Sequence, residues 1–117
     1  MFKTMDAGTL KRMMNRHEDF VLINVLGEDA FEKEHIPGSD NVPVDSPDFV
    51  TEVERLVGDT TRRVVVYCAS KTCQASPTAA RKLDEAGFTH VLDFEGGMAE
   101  WKGAGYDVAS FAPAGRP

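Results

Sequence analysis

Val64-Val65-Val66-Tyr67-Cys68-Ala69-Ser70-Lys71-Thr72-Cys73, residues 64–73, opens with an unbroken apolar run and ends in a polar loop that carries both cysteines of the chain. A run of strand length without in–out alternation fits a strand covered on both faces, as at the centre of a parallel sheet. Its β-branched valines suit that pleated setting. Cys68 is the first residue past the run. In open parallel sheets, chemistry gathers beyond the carboxyl ends of the strands. Cys68 is therefore a candidate site residue on position alone.

Outward from this segment, strand and helix signals alternate. Asp6 can cap a helix reaching about Asn15, with Leu10, Met13 and Met14 on one face. Residues 20–25 (FVLINV) read as a strand, 28–33 as a short helix, and 41–44 as a short strand. Phe49, Val53, Leu56 and Val57 recur at helical spacing and Gly58 closes the helix. After the 64–67 strand, Ser76 reads as a helix cap with Pro77 at the first helical position, and Gly87 stops that helix. Residues 91–94 read as a further strand and 97–102 as a last short helix. Connections too long for hairpins imply right-handed crossovers and a parallel sheet with helices on its faces, an α/β fold.

With 117 residues the chain has room for one domain and its core. Residues 1–108 are expected to form that domain, and 109–117, rich in Ala, Pro and Gly, a flexible tail. A net charge of −6 argues against nucleic-acid partners, whose phosphates need a basic surface, and against anionic membrane. No apolar run has the length of a bilayer span, and the start, Met1-Phe2-Lys3-Thr4-Met5-Asp6, lacks an apolar signal core. A cytoplasmic location is the expectation. Two cysteines do not make a disulfide scaffold, and with three scattered histidines they show no metal-ligand spacing.

A loop between a strand and a helix N-terminus can turn backbone N–H groups inward, and those donors with the helix dipole make an anion site. A thiol there is expected to ionise more readily than an ordinary cysteine, and Lys71 would add to the effect. Such a thiolate suits nucleophilic sulfur chemistry. The bland alternative is that Cys68 is a small buried hydrophobe.

Over residues 4–108 the chain resembles the single-domain rhodanese-like sulfurtransferase family. The resemblance rests on 20–25 (FVLINV), 31–39 (FEKEHIPGS) with Asn41-Val42-Pro43, 64–68 (VVVYC), 79–88 (AARKLDEAGF) and 95–106 (EGGMAEWKGAGY). It implies a three-layer α/β/α fold on a five-stranded parallel sheet of order 3-2-4-5-1. It also implies that Cys68 carries sulfur as a persulfide in a substrate-binding loop of Ala69, Ser70, Lys71, Thr72 and Cys73. The donor would be a small sulfur anion such as thiosulfate, or a persulfide; the acceptor would be a thiol or a protein sulfur acceptor. No metal or organic cofactor is called for. Two departures stand out. Asn24-Val25-Leu26 replaces the Asp-Val-Arg of many relatives, and the loop has neither Gly nor Arg and ends in Cys73.

Other functions remain open. Cys73 either fills a serine or threonine niche or is a resolving thiol that attacks the Cys68 persulfide. The same fold can serve as a non-catalytic regulatory or protein-binding module, or the cysteine pair as a thiol–disulfide couple. A phosphatase or arsenate reductase would need an arginine six positions past the cysteine, where this chain has Gln74. His35 is expected to pack and hydrogen-bond beside the sheet, and His17 and His90 to lie at the surface. Met98 and Trp101 are expected to pack the last helix on the core. Ser70 and Thr72 are candidate hydrogen-bond donors to a bound anion.

Overall fold

The structure, a computed structural model, describes residues 2–111. Five parallel strands lie in the order β1 (Lys3–Thr4), β5 (Val91–Phe94), β4 (Val64–Tyr67), β2 (Val21–Asn24), β3 (Asp40–Asn41). Numbered along the chain this is 3-2-4-5-1, the expected topology. The helices are α1 (Ala7–Asn15), α2 (Glu28–Lys33), α3 (Phe49–Val57), α4 (Ala75–Glu85) and α5 (Gly97–Gly103).

β4 is flanked on both sides, pairing Val64 with Val21 and Val91, and Tyr67 with Asn24 and Phe94. All four of its residues are buried, which is why the run carries no polar alternation. Its period of two divides the core. Val64, Val66 and Cys68 face a cluster with Val53 of α3 and with Ala79, Ala80 and Leu83 of α4. Val65 and Tyr67 face Leu10 and Met13 of α1 and Met98 and Trp101 of α5. The thiol of Cys68 is thereby committed to the α4 side.

The residues 35–39 (HIPGS) explain themselves around Tyr67. The Ile36 amide donates to the Tyr67 hydroxyl at 3.0 Å, the Ser39 hydroxyl lies 2.8 Å from it, and Ser39 Oγ also donates to the Ile36 carbonyl at 2.7 Å. Burial pushes the Tyr67 phenol above its ordinary range, while these hydrogen bonds oppose the shift. Tyr67→Phe leaves a buried N–H without its acceptor. It is expected to cost about 1–3 kcal/mol, read as a lower urea midpoint with an unchanged slope.

Two expectations need correcting, and one strand carries no signal in the sequence. The strand placed at 41–44 is the pair Asp40–Asn41: the amides of Val42 and Val44, both buried, still donate to the carbonyls of Asn24 and Val25, but the chain turns at Val44. α4 begins at Ala75 with Gln74 as its cap, so Ser76 is inside the first turn and turned toward the sheet, not capping. Lys3–Thr4 forms a strand that no apolar pattern marks. The missing charged pair at 24–26 has an amide substitute: Asn24 Oδ1 accepts from the Leu26 amide at 2.9 Å, and Asn41 Nδ2 donates to the carbonyls of Asn24 and Leu26. Beyond residue 108, Ala109 and His35 exchange backbone hydrogen bonds of 2.8 and 3.0 Å, and the Phe111 ring meets Phe31 and His35. The rest of the stretch read as a tail, 112–117, lies outside the described residues. Among the described residues no helix is long and apolar enough to cross a membrane.

Candidate functional site

The loop of residues 68–74 leaves β4 and enters α4, and its back is fastened to α5. The Met98 amide donates to the Cys68 carbonyl at 3.0 Å and the Ala99 amide to the Ala69 carbonyl at 2.9 Å. The first turn of a helix has free N–H groups, and here two of them hold the loop's carbonyls. Gly97 makes the approach possible, with a φ of +58° and no side chain against the Cys68 carbonyl. The residues 96–98 (GGM) are thus a brace for the cysteine loop. A turn from the Cys73 amide to the Ser70 carbonyl, 3.0 Å, closes the loop on itself.

Cys68 is fully buried and its thiol donates to the Cys73 carbonyl at 3.7 Å. Cys73 is half-buried, and both thiols are free. The two sulfurs act on each other, and backbone amides face both: Ser76 toward Cys68, Ala69 and Ala75 toward Cys73. The structure therefore places Cys73 beside Cys68.

The division of acidity between them reverses the expectation. Burial pushes the Cys68 thiol up, the Cys73 side chain adds to this, and the Ser76 hydroxyl and amide only partly oppose it. For Cys73, burial also acts upward, but the Cys68 side chain and the Ala69 and Ala75 amides outweigh it and the thiol ends below its ordinary range. Desolvation wins at the inner sulfur, whereas at the outer one the Cys68 side chain, and after it the two amides, outweigh it. Lys71 does not contribute as expected. Its ammonium points out of the loop, 78% exposed, to Glu95 at 4.0 Å. The hydroxyls of Ser70 and Thr72 are exposed and hydrogen-bond each other at 3.1 Å.

His35 is buried, stacked on Phe31 at 3.9 Å between ring centroids, with Nδ1 2.7 Å from the Phe31 carbonyl oxygen. It is a packing residue. His17 and His90 are exposed, and His90 Nδ1 lies 2.9 Å from the Thr89 hydroxyl. Met98 and Trp101 are buried in the α1–α5 core, where Trp101 Nε1 donates to the Asp107 carbonyl at 2.7 Å.

Two polar residues near the thiols were not singled out by motif. Asp93 on β5 is 1% exposed and Ser76 on α4 is fully buried; the Asp93 Oδ1 and Ser76 Oγ atoms have no hydrogen-bond partner among the described residues. Burial raises the Asp93 carboxyl above the usual carboxylate range; the Ser76 hydroxyl opposes this and Glu95 adds to it. The signal for Asp93 was present in sequence as one acid inside the apolar run 91–94 (VLDF).

The family model of the rhodanese-like domain matches residues 6–104. The chain is a rhodanese-like domain. Over 112 residues it is 33% identical to the HTH-type transcriptional regulator Rv0324 of Mycobacterium tuberculosis, a match that covers 94% of this domain and 47% of the regulator. It is 29% identical over 90 residues to the adenylyltransferase and sulfurtransferase UBA4 of Meyerozyma guilliermondii, covering 74% of this domain and 21% of that protein. This rhodanese-like domain thus spans about half of one relative and a fifth of the other. Among solved structures, the Alr3790 protein from Anabaena sp. matches with a TM-score of 0.81 and 28% identity, covering 92% of this domain and 93% of that chain.

Proposed function

We propose that this domain is a sulfurtransferase or sulfur carrier that moves sulfane sulfur through a persulfide on Cys68. The observation that carries this reading is the pairing of two free thiols at the carboxyl end of the central strand, with the Ala69 amide of the loop and the first amides of α4 acting on their sulfurs. A relative that is a sulfurtransferase supports the same chemistry. The ionised Cys68 sulfur attacks the outer sulfur of a donor such as thiosulfate or a protein persulfide; the donor's S–S bond breaks and sulfite, or a thiolate, leaves. Amides already turned toward the sulfurs stabilise the persulfide anion without reorganising, as in an oxyanion hole. A thiol acceptor then takes the outer sulfur and Cys68 is regenerated.

Cys73 is the resolving thiol in this scheme. Its sulfur attacks Cys68–S–S⁻ at the Cys68 sulfur, forming a Cys68–Cys73 disulfide; the outer sulfur leaves as hydrosulfide with the Cys73 proton. The lowered pKa of its thiol suits the attacking role.

The test is to incubate reduced protein with thiosulfate, remove the excess, and record intact and tryptic masses. Trypsin cuts after Arg63, Lys71 and Arg81, so Cys68 and Cys73 fall on separate peptides, 64–71 and 72–81. A gain of one sulfur atom on the 64–71 peptide, removed by cyanide, is expected in both wild type and Cys73→Ser immediately after loading. In Cys73→Ser the sulfur should persist, whereas wild type should shed it as sulfide and gain the disulfide. Equal persistence in both proteins would remove Cys73 from the chemistry. Similarity to a transcriptional regulator supports a second reading, a regulatory module without turnover; a domain that takes no sulfur from thiosulfate or from protein persulfides would establish that one instead.

A further inference from the structure

The cysteine loop offers a small anionic donor little charge to bind. Its one lysine, Lys71, points outward to Glu95, and the hydroxyls of Ser70 and Thr72 hydrogen-bond each other. Val66 pairs with Asp93, so the buried charged residue that shares the Cys68 face of the sheet is an acid. A dianion such as thiosulfate meets no guanidinium or ammonium group in this loop, and such groups make the strong hydrogen bonds to anions.

The surface beside the loop is built differently. A groove of about 460 Å³ lies between α2, α5 and the start of the loop. Leu26 after β2, Ala30 of α2, Ala69 of the loop, and Met98 and Ala99 of α5 give it an apolar lining. Leu26, in place of the arginine of many relatives, keeps that edge uncharged. Ala69 is exposed and is the chain neighbour of Cys68, so the groove ends beside the nucleophile. Lys33, Glu34 and Lys102 complete the lining, and they are not equivalent. Lys102 is held by Glu34 at 2.9 Å, whereas Lys33 has no ion pair among the described residues. An apolar cleft of small-molecule size with one uncommitted cation fits a ligand with an alkyl body and one negative charge.

We infer that this groove seats a low-molecular-weight organic persulfide that carries a carboxylate, with its alkyl body on Leu26, Ala30 and Ala99 and its carboxylate on Lys33. Its two sulfurs then lie at Ala69, at the entrance to the cysteine loop. This rests on the carrier reading above and names the class of donor for it. Cys68, as its thiolate, attacks the outer sulfur of R–S–SH. The donor's S–S bond breaks, a new one forms to Cys68, and the leaving R–S⁻ takes up the proton that Cys68 released. Cys68–SH and R–S–SH thus become Cys68–S–SH and R–SH, without oxidant or reductant. The donor's one charge stays on Lys33, away from the acids around the loop.

The test compares initial rates of sulfur loading on the 64–71 peptide of the full chain for wild type, Lys33→Gln and Lys33→Glu. Three donors are used: the persulfide of ω-mercaptohexanoate, the persulfide of its amide, and thiosulfate. Lys33→Gln is expected to slow the carboxylate donor by about two- to fivefold, the size of an exposed ion pair, and Lys33→Glu to slow it further. The amide donor and thiosulfate should not respond. If Lys33 acted only through its long-range field, dianionic thiosulfate would slow the most. If it served only the last turn of α2, where it complements the helix dipole, every donor would slow alike. Either pattern overturns the groove, as does a carboxylate donor indifferent to Lys33. A second readout involves no sulfur transfer: the S-methyl thioether of ω-mercaptohexanoate should shift the amide NMR signals of Ala30, Ala69 and Ala99, and do so more weakly in Lys33→Gln. Wild type that takes no sulfur from any donor while the thioether still shifts those amides overturns the carrier reading and leaves the groove as a binding site. Loading that proceeds without Lys33 dependence and without those shifts overturns the groove and leaves the carrier reading standing.

Discussion

Gly97→Ala is expected to destabilise the domain by roughly 3–5 kcal/mol and to disable the cysteine loop with it. Gly97 has a φ of +58°, and a Cβ there would press into the Cys68 carbonyl oxygen and come within 2.9 Å of the carbonyl carbons of Cys68 and Ala69. The left-handed backbone alone costs an L residue about 1–2 kcal/mol. Both contacts are backbone, so no rotamer change relieves them. The loop or the start of α5 must move, and the hydrogen bonds from Met98 and Ala99 to the two carbonyls go with it. Each is worth about 1 kcal/mol net, and Met98 and Trp101 are pulled from the core on the same helix. Gly105→Ala is the control. Its φ is +84° but nothing lies within 4 Å of an added Cβ, so only the backbone penalty applies. Urea midpoints of the two variants separate the brace from ordinary left-handed strain. Equal losses would show that residues 96–98 do not hold the loop.

The contrast between those glycines marks the limit of what residue types convey. Gly58 could be read as a helix stop because Phe49, Val53 and Val57 on α3 set the phase before it. Asp6 could be read as a cap, and its Oδ1 does accept from the Thr9 amide at 2.8 Å. The central strand was legible because both faces of β4 are covered and leave no room for a polar residue. Lys3–Thr4 was not, since both residues are exposed and the strand exists only through backbone pairing with β5. Ser76 beside Pro77 has the composition of a cap, yet tertiary packing turns it inward; local pattern lost to the sheet face beneath it.

The site divides in the same way. Position put Cys68 past the strand end and spacing put Cys73 in its loop, both properties of chain order. Acidity is not one of them. Full burial decides for the inner sulfur, while the Cys68 side chain and then the Ala69 and Ala75 amides act on the outer one, which retains some solvent. Lys71 shows how little a charge in a loop says about its direction, because its partner Glu95 lies outward across the loop. The clue that carried furthest was an inconsistency: an acid within residues 91–94, where every neighbour suits a buried strand.

Cys68→Ser is expected to abolish sulfur loading from thiosulfate, leaving no cyanide-removable sulfur on either tryptic peptide. The serine hydroxyl cannot form the persulfide, and in the proposed scheme Cys73 attacks a sulfur at Cys68 and is not loaded in its stead. Stability is a separate matter. A hydroxyl in the apolar cluster around Val66, Ala79 and Leu83 costs about 1–3 kcal/mol where it lacks a partner, but the Cys73 carbonyl that takes the thiol proton can take the serine proton as well. Cys68→Ala has no such donor. Since the Cys68 side chain is one of the groups that acidify Cys73, the alanine variant should alkylate more slowly at Cys73 near neutral pH than wild type, with serine in between. The order is the informative result: loss of loading in both variants with graded Cys73 reactivity shows one coupled pair. Loading at Cys73 in either variant would make the outer thiol the carrier and reverse the roles assigned to the two sulfurs.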